Sequence, residues 1–323
     1  MPVHPDASRN DTVRSHDGYT LQIRTIRQPA SRLAPGNQQA RIGQPRLLSP
    51  SARGPAKMRY SKLISYMLLI DVVQAIHFDF IPNYSTNELF IDMPASQHPF
   101  RKVYGSLVAG HSLPPDVHAH EDALLLVAAL LGDIVRMQKN AFPTSFIQIK
   151  AAGNSPPAPL TVAHEIARAE AILAAALARW KKHFAHSSGD VLALYHVAEL
   201  LLHCPGVTKL SRLAGYPDQK RPSKYITGWH ISGHAVDVAW QILGDSESCA
   251  TGSATHLSVW HPIAVFLAAL VVWKHSDSNK RSRQGLGGVR ALAMFINELE
   301  RLRWPCCTSM VATLKNIAAA ASS

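Results

Sequence analysis

The sequence predicts an all-α protein built from many helices. Apolar residues recur every three or four positions over long segments, and no stretch of useful length alternates apolar and polar residues as a β-strand would. Hydrophobic residues make up 47% of the 323 positions and charged residues only 17%, so we expect much of the chain to pack against itself. These observations favour a multi-helix core over a sheet.

Residues 1–57 differ in composition from the rest of the chain. They carry nine basic side chains against three acidic ones, together with seven prolines, and large apolar residues are sparse. Such a segment buries too little apolar surface to offset the entropy that is lost on ordering. We therefore predict a disordered basic tail at 1–57 and a helical domain at 58–323.

Two helices are predicted in the first part of this domain. Apolar residues from Met58 to Phe78 follow helical spacing, and Pro82 should end that element. An irregular segment is expected at 87–94. Residues 116–137 are apolar on nearly every side, which is typical of a helix at the centre of a domain. The four prolines within 143–159 indicate a loop.

The second part of the domain shows a further series of helical patterns. Residues 161–184 carry one apolar stripe, with Thr161 as a plausible N-cap. Residues 191–203 indicate an amphipathic helix rich in Leu and His, which Cys204-Pro205-Gly206 should end before a second short helix. Further helices are expected at 222–243, 261–274, 288–303 and 308–320.

The chain is basic, with 33 Lys and Arg against 22 Asp and Glu and a net charge of +11. This balance permits contact with nucleic acid, acidic proteins or anionic membranes without choosing between them. The longest apolar run, 259–273, is shorter than the roughly 20 residues that cross a bilayer. We expect it to form a buried helix, and we expect no membrane partner. No apolar segment after Met1 indicates a secretory signal.

The four cysteines, at positions 204, 249, 306 and 307, do not match a zinc site. No C-x-x-C pair is present, and the spacing with histidine fits no zinc frame. Cys306 and Cys307 are adjacent, and ordinary disulfide geometry cannot join neighbours without strain. We predict free thiols in a reducing compartment, and neither a metal nor a cofactor held by this chain.

The chain has seventeen histidines, so we compared their spacing with that of metal-binding residues on helices. His196, Glu199 and His203 could share one helical face, but seven residues separate the two histidines by roughly 10 Å along a helix axis. Helices that bind metals commonly use positions i and i+4. The interpretation is that these are interface or polar-face histidines.

A denser group of ionisable residues precedes the predicted central helix. His118 and His120 are two apart and do not face each other on a helix. Asp116, Glu121 and Asp122 are better explained as acids near a helix N-terminus, where the backbone dipole favours negative charge.

Gly110-His111-Ser112-Leu113-Pro114 partly matches the G-x-S-x-G elbow of serine hydrolases. Pro114 stands where that motif has its second glycine, and no strand pattern precedes it. No phosphate-binding glycine motif is present. We expect Ser112 to lie in a loop and the chain not to be an enzyme, with a serine hydrolase using Ser112 as an alternative.

One short basic cluster is a candidate nuclear-import patch. It consists of Lys280, Arg281 and Arg283. A solvated loop would explain the same residues without a function.

Three sequence blocks, at 65–94, 192–217 and 260–275, resemble in order the regulatory (middle homology) domain of fungal zinc-finger transcription factors. The matching positions are Asp71, Pro82, Glu88, Leu89, Asp92 and Pro94 in the first block, Leu194, Tyr195, His196, 200–205 and Leu213-Ala214-Gly215 in the second, and Ala268, Ala269, Leu270 and Trp273 in the third.

The resemblance implies an all-α regulatory domain in a nuclear transcription factor, whose full-length members bind DNA with the help of zinc. This chain shows no zinc cluster, so we expect part of the regulatory domain without the DNA-reading module. The expected partners are the transcription machinery or other regulatory proteins. The basic tail should contact nucleic acid weakly, and uncovered apolar surface should favour self-association. A helical scaffold without regulatory output is a further alternative.

Overall fold

The computed structural model describes residues 55–151, 160–216, 231–251, 258–278 and 285–322. Within these ranges the chain forms ten α-helices and no β-strand, with one isolated bridge between Asp92 and Pro99. The predicted all-α class is therefore confirmed. The helices are α1 (Pro55–Phe78), α2 (Phe100–Ala109), α3 (His120–Ala151), α4 (Leu160–His183), α5 (Gly189–His203), α6 (Val207–Leu213), α7 (Gly233–Thr251), α8 (His261–Ser278), α9 (Gly285–Leu302) and α10 (Pro305–Ser322).

Helix α3 lies at the centre of the first half of the fold. Every residue from 123 to 131 is buried, and α1, α4 and α5 pack around the helix. The prediction of a central helix is confirmed, although α3 begins at His120 rather than at Asp116. Glu121 and Asp122 occupy its first turn, as predicted for acids near a helix N-terminus.

Two boundary predictions around α3 and α4 were wrong. Helix α3 continues through Pro143 to Ala151, in the first part of the segment at 143–159 that was predicted to be a loop, and 152–159 are outside the described part of the chain. A proline removes one backbone hydrogen bond and bends a helix, but it does not always end one. Helix α4 begins at Leu160, so Thr161 lies inside its first turn and is not the N-cap.

Helix α2 was not predicted from the sequence. Its apolar face is only three turns long and follows Pro99, so its period is hard to detect. The helix ends at Gly110, whose positive φ of 90° suits glycine. Arg179 of α4 donates hydrogen bonds of 2.9 Å to the carbonyls of Leu107 and Val108 in the last turn of α2. The buried residues of α2 are Phe100, Val103, Tyr104 and Leu107.

Carboxylates on α1 and α3 hold the non-helical segment between α1 and α2. They accept hydrogen bonds from its backbone and side chains, in a part of the chain where no helix satisfies the polar groups. A single 3-10 turn, Thr86–Glu88, is the only regular element described in this segment. The bonds run from Asn83 and the Tyr84 amide to Asp71, from Thr86 and also Tyr104 of α2 to Asp133, and from the amides of Ala95 and Ser96 to Asp122.

Helix α5 joins the two halves of the fold, since it packs against α3, α4, α7 and α8. It was expected to be amphipathic, but ten of its fifteen residues are buried. The predicted polar face is mostly covered, because helices on several sides of α5 leave little of it facing water. Trp180 of α4 is fully buried beside it, donates to the Ala123 carbonyl, and stacks on Tyr195.

The remaining helices follow the predicted order. The short α6 starts after Gly206, and α8, α9 and α10 lie within a few residues of their expected bounds. The prediction of a helix at 222–243 was wrong at both ends, because α7 begins at Gly233 and continues to Thr251. The residues at 217–230 are outside the described part of the chain. Of the predicted tail at 1–57, only 55–57 are described, and they open α1.

We expect Asp122→Ala to lower the free energy of unfolding by about 2–4 kcal/mol, because two backbone amides lose a charged acceptor. Asp122 is fully buried and accepts bonds of 2.9 and 3.0 Å from Ala95 and Ser96. Urea unfolding of Asp122→Ala and of the neighbouring Glu121→Ala measures the difference. Glu121 makes a half-exposed ion pair with Lys62, so its loss should cost less than about 1 kcal/mol. Equal losses in both variants would contradict this account.

Candidate functional site

A group of imidazole and carboxylate side chains lies between α5 and α7. We call it the α5–α7 polar cluster, and it consists of His196, Glu199, His203, His234 and Asp245. The first three lie on α5 and the last two on α7. Because these two helices pack closely along their length, residues distant in sequence meet at one edge of their interface.

Glu199 is at the centre of this cluster. Its Oε2 accepts a hydrogen bond from Nδ1 of His196 at 3.1 Å, while its Oε1 lies 3.8 Å from Nε2 of His234. One turn further along α5, the ring of His203 stands perpendicular to that of His234, with 4.3 Å between the ring centroids. Glu199, His203 and His234 each place one potential ligand atom within 4.8 Å of the other two.

Burial and charge set the ionisation of this group. Burial opposes ionisation of Glu199, but the hydrogen bond from His196 and the charges of the three histidines outweigh it, so the pKa of Glu199 is lowered. Burial, with a contribution from His234, lowers the pKa of His203. At neutral pH the cluster therefore offers an anionic carboxylate beside a neutral imidazole.

His196 connects Glu199 to a second acid. Its ring is almost fully buried, and Nε2 lies 3.4 Å from Oδ2 of Asp245, too poorly aligned for a hydrogen bond. Burial raises the pKa of Asp245. His196 therefore stands between two carboxylates at the helix interface, and its Nδ1 bond fixes the orientation of Glu199.

His196 and His203 are too far apart along a helix to share a metal ion, and the prediction of interface or polar-face histidines was based on that pair. Glu199 and His203, in the same group, have the i, i+4 spacing that places side chains on one helical face. That signal was available in the sequence. The contribution of His234 was not, because it lies 31 residues further along the chain and reaches the cluster only through the packing of α7 on α5.

The other candidate residues lie elsewhere. Ser112 is exposed in the loop after α2, and no strand precedes it in the described residues. Nδ1 of His120 lies at hydrogen-bond distance, 2.9 Å, from Oγ of Ser188 and not in a histidine cluster. Asp116 forms an ion pair with His98 at the surface. The patch of Lys280, Arg281 and Arg283 is outside the described part of the chain.

The outer side of α1 is a candidate interaction surface. Its inner side packs on α3, whereas a continuous outer stripe of large apolar side chains remains exposed. We call this stripe the α1 outer face. By length and composition the part of α1 from Met58 to Phe78 could also cross a membrane, and half of that stretch is buried within the described structure. The α1 outer face consists of Tyr60, Leu63, Tyr66, Met67 and Ile70.

Two adjacent thiols open α10, next to a cavity of about 370 Å³ between α9 and α10 that Cys307 helps to line. Both thiols and Cys204 are free, as predicted. A hydrogen bond from Cys307 lowers the pKa of Cys306 to about 7 and raises that of Cys307. Burial raises the pKa of Cys204 to about 11.

His261, the first residue of α8, is fully buried, and neither ring nitrogen has a hydrogen-bond partner among the described residues. Burial lowers its pKa, although Asp190 and Glu298 oppose the shift. The fold therefore holds this imidazole in its neutral form.

Comparison of the chain with protein-family models, with curated proteins and with solved structures gives no match.

We predict that alkylation reaches Cys306 first among the three described thiols. Its rate should rise through about pH 7, because the thiolate is the reacting form. Iodoacetamide labelling with peptide mass spectrometry resolves each site. Cys204, with its raised pKa and buried side chain, provides the internal comparison. Equal labelling of Cys204 and Cys306 at pH 7 would contradict the assignment.

We expect His261 to make the fold less stable in acid. Its pKa is lower in the folded state than the unfolded value of 6.5, so the unfolded chain binds more protons below that pH. The stability that depends on neutral His261 is fully present above pH 6.5. It is lost as the pH falls toward the lower pKa that His261 has in the folded state. Urea unfolding between pH 7.5 and 5 should show a shallower loss for His261→Leu than for the native chain.

The matched control is His111→Leu, since His111 is exposed in the loop after α2. It should keep the native dependence of stability on pH. If the two leucine variants respond alike to acid, His261 is not the source of the effect.

Proposed function

We propose that the helical part of this chain is a regulatory domain that acts in transcription through protein contacts, among them contact with a second copy of the chain. The ordered blocks at 65–94, 192–217 and 260–275 support the assignment to transcription, through their resemblance to the regulatory domain of fungal transcription factors. The exposed apolar side chains of the α1 outer face support the claim that the chain acts through protein contacts. On this proposal the chain acts in the nucleus.

The size of the α1 outer face supports a specific interface. Its side chains are between 38% and 58% exposed, and Phe78 adds further apolar surface at the C-terminal end of the helix. The exposed area of these six side chains is roughly 600 Å², judged from the usual size of such residues. This is most of the roughly 800 Å² that each partner buries in a stable interface, and it is at the upper end of the roughly 300–600 Å² usual for the largest apolar patch on a monomer.

A second copy of this chain is the occupant we propose. Helix α1 has 24 residues, about 36 Å, and presents the same stripe to any copy that pairs with it across a two-fold axis. Among the exposed residues within the stripe, only Arg59 and Gln74 are polar. In an antiparallel pair, Arg59 would approach the C-terminal end of the partner's α1, where the helix dipole favours a cation.

We expect the native chain to be a dimer and the double variant Leu63→Glu, Ile70→Glu to be a monomer. Four carboxylates placed in an apolar interface, two from each copy, should weaken association at least about 100-fold, which corresponds to about 2.7 kcal/mol. Size-exclusion chromatography with light scattering measures the mass. Met294→Glu is the matched control, because Met294 on α9 is 47% exposed and lies outside α1.

A native chain that stays monomeric at high concentration would overturn the dimer. Flotation of the native chain with lipid vesicles, lost in the double variant, would assign the α1 outer face to a membrane instead.

A reporter experiment tests the regulatory part of the proposal. The chain, fused to a known DNA-binding domain, should change transcription of a reporter gene, and the double variant at Leu63 and Ile70 should lose that change. The Met294→Glu fusion should retain it. No output from the native fusion would favour a scaffold without regulatory function. Ester hydrolysis that is lost in Ser112→Ala would establish the hydrolase alternative.

A further inference from the structure

We propose that Glu199, His203 and His234 bind a divalent transition-metal ion, with Zn²⁺ as the ion that best fits the ligand set. This inference rests on the geometry of the α5–α7 polar cluster and is independent of the proposed role in transcription. The bound ion would join α5 and α7 at one edge of their interface.

The ligand types suit zinc and not calcium or magnesium. Two imidazoles and one carboxylate are a nitrogen-rich set, as in zinc sites with three protein ligands and one open position. Calcium and magnesium take oxygen ligands. Glu199 and His203 have the i, i+4 spacing on α5 by which one helical face supplies two ligands.

Only a small movement is needed to close the site. Tetrahedral ligands at about 2.1 Å from zinc lie roughly 3.4 Å apart, and the three candidate atoms lie within 4.8 Å of one another. Nε2 of His234 is already 3.8 Å from Oε1 of Glu199. His203 and His234 are exposed, so their rings can rotate toward the carboxylate without disturbing the core.

The buried neighbours hold Glu199 in the orientation that the site requires. His196 binds Oε2 of Glu199, which leaves Oε1 facing His234. Outer-shell hydrogen bonds of this kind orient a metal ligand and tune its affinity. Asp245, on the far side of His196, belongs to the same chain of polar groups. Glu170 of α4 adds negative charge near His203, which favours a cation.

An ion held here would stabilise the folded chain, because its ligands come from two helices and meet only after α5 and α7 have packed. Binding that requires the native arrangement shifts the folding equilibrium toward that arrangement. The site is open to solvent, since two of its ligands are exposed. It therefore makes the α5–α7 contact responsive to the concentration of the metal.

The test is titration of the 323-residue chain with Zn²⁺, followed by calorimetry and by thermal unfolding. We expect saturable binding, a rise of a few degrees in Tm that EDTA reverses, and no rise with Mg²⁺. His203→Ala and His234→Ala should each weaken zinc binding at least about tenfold and abolish the rise in Tm. Both residues are exposed, so the variants should fold.

His186→Ala is the matched control, because His186 is exposed between α4 and α5 and lies outside the cluster. It should bind zinc like the native chain. Glu199→Gln keeps the shape of the side chain but removes its charge, and it should also weaken binding. Co²⁺ provides a second readout, since its visible absorption reports the coordination geometry and should change in the ligand variants only.

Zinc binding of equal strength in the native chain, His203→Ala and His234→Ala would overturn the proposal, because the ion would then lie at other histidines. The absence of saturable binding to the native chain would overturn it as well.

Discussion

A helix that is apolar on every side is stable in water only where other elements cover it. Helix α3 imposes this requirement on the first half of the fold, because residues 123–131 are all buried. Helices α1, α4 and α5 provide the cover. The full burial of Trp180 on α4 follows from the same requirement, and the indole donates its one N–H to a backbone carbonyl of α3.

Helix α3 also provides polar partners for the non-helical segment between α1 and α2. Asp122 and Asp133 lie on α3, and both accept hydrogen bonds from the non-helical segment that crosses between α1 and α2. These bonds satisfy backbone and hydroxyl groups that no helix serves, so the segment is held without regular structure of its own. The acids of α3 therefore have a structural role, in contrast to the carboxylate of Glu199, which faces two exposed imidazoles.

The two surfaces that carry the functional proposals arise from the same packing. Helix α1 covers α3 with one side and has apolar residues left over on the other, which is why its outer face remains exposed. Helix α5 is buried on most sides, and its Glu199 and His203 lie at the edge where α7 begins, beside His234. An apolar stripe suits a protein partner, and a group of imidazoles around a carboxylate suits a metal ion. The proposals for dimerisation and for zinc therefore concern separate surfaces and can fail separately.

Periodicity in the sequence was enough to predict the all-α class, the central position of α3 and the order of most helices, because these follow from local spacing of apolar residues. It could not predict that Pro143 lies within a helix or that α5 is covered on most sides, since neighbouring helices decide both. The same limit applies to the candidate metal site. Glu199 and His203 are related by helical spacing, which the sequence contains, but His234 joins them only when α7 packs on α5. Contacts between distant parts of the chain depend on how complete helices fit together, and the pattern within any one helix does not determine that fit.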